Sequence, residues 1–193
     1  MPSFATNHAN ILTTTTRTLH DANNMSNDPR LSVAIAQIEA ARNYTLTLLA
    51  GITNDDWFQM PDGAPTHLAW QVGHIAMAQY GLALFRQRGR KPEDGDLMSS
   101  AFRKQFSKGS TALADASLYP PAEEIRATFD RVYRQAMAEL PNTPPSALDE
   151  PVDEPYFGWP TKLGALLICS HHEMLHAGQI GLLRRLLGKS PVR

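Results

Sequence analysis

The sequence predicts an all-α protein, a four-helix bundle with one long crossover connection. Three observations carry that prediction. Apolar residues recur at helical period in four separate segments. Clusters of proline and glycine divide those segments, and no stretch alternates apolar and polar residues as a sustained strand would. Each segment is about 18–27 residues, or ~27–40 Å at 1.5 Å per residue, the length of bundle helices.

The first helix is expected from about residue 30 to 50. Asp28-Pro29 supplies a capping carboxylate followed by proline at the first helical position, and Leu31, Val33, Ile35, Ile38, Ala41, Leu46, Leu48 and Leu49 follow before Gly51 stops the run. Thr53-Asn54-Asp55-Asp56 can cap a short turn carrying Trp57 and Phe58, and Pro61-Asp62-Gly63-Ala64-Pro65 is turn chemistry. Thr66 is the expected cap of a second helix over about 67–88, with Ala69, Trp70, Val72, Ala76, Met77, Tyr80, Leu84 and Phe85 on its stripe.

Residues 89–120 are polar and rich in glycine and serine, with a short helix expected around Ser99 to Gln105. They read as a long crossover or lid-like segment. Pro120-Pro121 opens a third helix running to about Leu140, with Glu123 and Glu124 at its positive end. Six prolines between Pro141 and Pro160 mark a second loop. Thr161 caps the last helix, which ends at Gly188 beside Arg184, Arg185 and Lys189.

The bulk numbers exclude several classes. The chain has 193 residues, 18 basic against 19 acidic. That balance lacks the basic excess of a nucleic-acid binder. Its apolar runs are far shorter than the ~18–20 residues that cross a bilayer. Cys169 is the single cysteine, so no intramolecular disulfide can form. Residues 1–24 lack the apolar core of a secretory signal, and the expectation is a cytoplasmic protein. The Thr- and Asn-rich stretch 1–27 is read as a disordered extension, and 28–193 as one domain.

The chemistry concentrates in His172-Glu173-Met174-Leu175-His176. Residues four apart on a helix share a face, so both imidazoles can converge on one divalent ion. A third ligand must come from elsewhere. His74 lies centrally in the apolar stripe of the second helix, whereas His67 lies two turns earlier, where capping or surface exposure is expected. His74, His172 and His176 are therefore the expected metal ligands. Three protein ligands leave open positions, the pattern of a catalytic site rather than a closed structural one. Glu173 is offset by ~100° from His172 and is expected at the flank of the site, bonding a neighbour or water. His171 points elsewhere on the helix, and Cys169 reads as a small buried residue. Gln179 could bond a ligand or a neighbouring helix. Gly178 and Gly181 suggest close helix approach, and Arg184 and Arg185 a solvated last turn or a contact to an anionic substrate.

His-Glu-x-x-His also occurs in zinc peptidases, with the glutamate as general base. Those enzymes take a third ligand downstream, and residues 177–193 hold no His, Asp or Glu. The peptidase reading fails on that point.

Trp70-Gln71-Val72-Gly73-His74-Ile75 and the string His172-Glu173-Met174-Leu175-His176-Ala177-Gly178-Gln179-Ile180, with Leu183-Arg184-Arg185-Leu186-Leu187-Gly188 after it, resemble the second-helix and last-helix signatures of the DinB/YfiT-like superfamily. The resemblance spans about residues 30–188. It implies a four-helix bundle, a homodimer, and one divalent transition metal on three histidines, nickel or zinc with iron or manganese as further options. It also implies thiol-dependent transferase-type chemistry, in which a low-molecular-weight thiol attacks a small electrophile. The alternative is a metal- or ligand-binding bundle without catalysis, acting as a stress-response accessory.

Overall fold

The computed structural model describes residues 28–192. The expected all-α bundle is present. Helix α1 spans Pro29–Leu49. Helix α2 spans Leu68–Gln79 and continues through a wider-wound π-helical stretch, Tyr80–Phe85, into Arg86–Arg88. The crossover carries two short helices, α3 (Asp94–Leu97) and α4 (Ser100–Gln105). Helix α5 spans Ala122–Glu139 and α6 spans Lys162–Leu186. No helix of the described residues is long and apolar enough to cross a membrane.

Side-chain pairs fix the helix directions. Ser170 meets Gln37 and Arg42 meets Glu173, so α1 and α6 run parallel. Gln71 meets His176 while Gln87 meets the carbonyl of Lys162, so α2 opposes α6. Arg126 lies over Trp57, beside the start of α2, and Arg88 at its end pairs with Glu139, so α2 and α5 are parallel. Parallel neighbours in a bundle need a connection as long as a helix, which is the role of residues 89–121.

Helix starts follow the expected cap chemistry with one correction. Asp28 accepts from the Arg30 backbone N–H, Ser99 from Phe102 and Thr161 from Gly164. The second helix is capped by His67 instead of Thr66: His67 Nδ1 accepts from the Trp70 N–H at 3.1 Å. Thr66 Oγ1 instead accepts from Gln71 Nε2.

The core register of α1 also differs from the apolar count. Val33 and Leu46 are exposed, whereas Ala34, Arg42 and Thr45 are buried. Side chains 31, 34, 38, 41, 45 and 48 share the face on α6, and 33 and 46 fall off it. Helix α2 is enclosed on nearly every side, with residues 71–76 all buried. The crossover encloses it further with Met98, Phe102 and Phe106. This segment is packed structure and not a loose lid: Trp70 Nε1 donates to Ser110 Oγ, and His67 Nε2 donates to the carbonyl of Leu113.

The proline-rich second loop contains a feature the sequence did not suggest. Pro151–Tyr156 (β1) and Trp159–Thr161 (β2) form a small antiparallel hairpin against α6. Its two-residue turn, Phe157-Gly158, holds positive φ at both positions, 52° and 77°, as hairpin turns with the right twist require. A two-stranded sheet has only edges, which is why prolines are tolerated here.

Candidate metal centre

The fold brings His74, His172 and His176 together. His172 and His176 lie one turn apart on α6, and His74 faces them from α2. Ring centroids are 5.1 Å apart for His74–His172, 4.7 Å for His74–His176 and 4.5 Å for His172–His176. One nitrogen from each lies within 4.8 Å of the others. Tetrahedral coordination at ~2.0–2.1 Å needs nitrogens about 3.4 Å apart, within reach of small ring rotations. Among the described residues no cysteine or carboxylate joins the cluster.

Two rings are held in a defined tautomer. His74 Nδ1 lies 2.7 Å from the carbonyl oxygen of Phe106, and His176 Nδ1 lies 2.6 Å from Gln71 Oε1. Carbonyl and amide oxygens only accept, so both Nδ1 atoms carry the proton and both Nε2 lone pairs are available to an ion. Trp70 stacks on His74 at 4.7 Å and 8°, and Tyr156 of the hairpin packs edge-on against His172 at 5.9 Å. Such oriented, neutral imidazoles fit a borderline divalent ion.

Burial keeps the rings neutral. It lowers His172 to about 3, with His176 and His74 adding to the effect. It lowers His176 to about 4, partly offset by Gln179. It lowers His74 as well, against the opposing hydrogen bond to Phe106. Near neutral pH no proton competes with an ion for these nitrogens.

The other candidates fall outside the cluster. His67 is fully buried between Phe58 and Tyr119, and both its nitrogens are engaged. His171 is exposed. Glu173 is buried and its carboxylate is held by Arg42 at 2.9 Å, a further obstacle to the peptidase role. Cys169 is buried, and burial pushes its thiol well above the ordinary range, so it is no nucleophile. Arg184 donates to the backbone oxygens of Leu48 and Ala50, closing the end of α1, and is not placed for substrate. The expected close approach at Gly178 is absent, since a Cβ there would meet nothing within 4 Å, and at Gly181 it would make only ordinary contact with Leu48. Tight approaches are at Gly73, where a Cβ would lie 2.5 Å from the Phe106 ring, and at Gly164, where it would lie 2.7 Å from Trp159 Cβ.

Sequence reasoning missed Gln71, Phe106, Arg42 and the hairpin's Tyr156. Gln71 left a signal: an amide three residues before His74 inside an apolar stripe must find a buried partner. Arg42 left a similar one, a charge in the core register of α1. The Phe106 contact left none, because a backbone carbonyl has no residue signature.

Fold and cluster together define a helical bundle with a histidine site able to hold a metal ion. The model of the DinB superfamily matches residues 37–180, and the chain belongs to that superfamily. No curated protein matches the chain.

Proposed function

We propose that this protein is a divalent-metal-dependent enzyme using His74, His172 and His176 as ligands, with nickel or zinc as the ion and iron or manganese as further options. The observation that supports it most is the orientation of two rings by Phe106 and Gln71 in a cluster that no fourth protein ligand closes among the described residues. Structural sites are closed by a fourth ligand, and catalytic sites keep a position for solvent or substrate. A bound divalent ion would act as a Lewis acid and lower the pKa of a coordinated water or thiol toward neutrality.

The reaction class proposed is transfer of a low-molecular-weight thiol to a small electrophile. The chain's own contributions are steric and orienting. Gln71 and the Phe106 carbonyl hold two ligands, Trp70 and Tyr156 exclude water from the ring faces, and no protein nucleophile is required. Association as a homodimer belongs to the same proposal.

Elemental analysis of untagged protein, prepared without metal-affinity resin, tests the centre, with His74→Ala beside the wild type. About one equivalent of ion in the wild type, lost in the variant, is expected. A thiol-and-electrophile screen before and after chelation then tests the reaction. Full turnover in ion-free protein would refute the enzyme reading. Stoichiometric ion with no turnover across the screen would favour a binding bundle without catalysis.

A further inference from the structure

A cleft of about 530 Å³ opens between the 63–66 turn, the 110–112 stretch of the crossover and the outer edge of α6. That volume suits a small molecule. Its inner wall is made by the residues that hold the histidines: Trp70, stacked on His74, and Gln71, bonded to His176. Its outer wall includes Leu182, which is half exposed. Among the described residues that line it, none is ionisable.

The polar groups of the wall are largely occupied by one another. Ser110 Oγ accepts from Trp70 and donates to the Ser107 carbonyl. Gln71 donates to Thr66 and accepts from His176. The Thr66 hydroxyl proton is left to meet a ligand, and Gln179 on the same wall is turned to His176. A charge carried on the body of a ligand would therefore lose its hydration with no counter-charge on these walls, because Trp70 and Gln71 stand between them and the histidines, and that is costly in a partly enclosed site. An apolar body carrying one or two neutral polar groups loses little. The crossover wall is pinned to α2 by Trp70 and His67, so the cleft exists before any ligand arrives.

We infer that this cleft binds the body of an uncharged, mainly apolar small molecule, with its reacting end directed past Gln71 toward His176. The inference deepens the enzyme reading by naming its substrate class, and rests on that reading only for which end reacts.

The neutral fluorophore N-phenyl-1-naphthylamine is the probe, and 8-anilinonaphthalene-1-sulfonate, the same ring system with a sulfonate, is its charged counterpart. Saturable binding of one neutral probe per chain is expected, with the sulfonate about tenfold weaker or more. Leu182→Asp places a carboxylate on the wall, and Thr111→Trp fills the space from an exposed rim position. Each should weaken the neutral probe about tenfold while circular dichroism and metal content stay at wild-type values. Absence of neutral-probe binding, equal binding of the sulfonate, or wild-type binding in both variants would overturn the inference. So would probe release on concentrating the protein with a dimer forming in sedimentation, which would assign the Leu182 edge to a second copy. Protein that takes up no metal yet binds the probe with the same dependence on Leu182 supports the cleft and removes the metal reading alone.

Discussion

Arg42 on α1 and Glu173 on α6 form a 2.9 Å ion pair whose side chains are 1% and 2% exposed. The guanidinium also donates to Gln79 Oε1 and to the Phe129 carbonyl, and it lies 3.4 Å from the centroid of the Phe129 ring. One side chain thus links α1, α2, α5 and α6, and the glutamate it pairs with is next in sequence to His172. Arg42 saturates its planar face with an aromatic ring and its edge with acceptors, the arrangement a buried guanidinium needs.

Arg42→Met leaves the Glu173 carboxylate buried without a partner. The expected loss in urea unfolding is about 3–5 kcal/mol. The double variant Arg42→Met, Glu173→Leu should recover most of it, because an apolar pair of similar volume removes the desolvation cost. A double variant as unstable as the single one would show that the pair is not the cause.

Gln71→Leu removes the acceptor for His176 Nδ1 and frees the ring to turn. Metal affinity, read by competition with a chromogenic chelator, should fall about 10–100-fold. Gln71→Glu keeps an acceptor at that place and should bind closer to wild type. Equal affinity in all three proteins would remove Gln71 from the site's support.

Gly73→Ala puts a methyl group where the Phe106 ring sits. The ring must move, and the backbone carbonyl of the same residue holds His74. A stability loss of about 1–3 kcal/mol is expected, as for overpacking. Metal affinity should fall with it. A stable variant with unchanged affinity would mean that α4 shifts without cost.

Burial lowers His67 to about 4 from its ordinary 6.5. Above pH 6.5 folded and unfolded chains are both neutral there. Between 6.5 and 4 only the unfolded chain takes up the proton, so stability falls as pH drops through that window. His172 and His176 shift in the same direction in metal-free protein. His67→Asn keeps a competent helix cap and removes the titrating ring. Urea unfolding from pH 7.5 to 5 should show a shallower decline in the variant, by about 2 kcal/mol at pH 5. Parallel curves would assign the acid sensitivity elsewhere.

The number and limits of the four long helices were legible because they depend on local chemistry, whereas the short helix Asp94–Leu97 was not expected. Asp28, Ser99 and Thr161 cap from within their own turn, and the prolines and glycines that end segments act on their own dihedrals. The hairpin was not legible: three prolines among nine strand residues hide a sheet that exists only because α6 supports it. Val33 and Leu46 were misplaced because apolarity alone does not fix which face of α1 meets α6. The expectation of a disordered extension over 1–27, with His8 and His20, lies outside the described residues.

The sequence by itself determined the bundle and the one-turn spacing of His172 and His176, since helical period and i,i+4 geometry are properties of a single segment. It also marked His74 as the imidazole best placed to meet them. Only the tertiary structure decided which atoms hold those rings. The Phe106 carbonyl and the Gln71 amide reach His74 and His176 across 32 and 105 residues of chain. The uncharged cleft beside them belongs to the tertiary structure too, because its walls come from three separate segments. Contacts of that range depend on how helices cross and where the crossover folds back, and packing sets both.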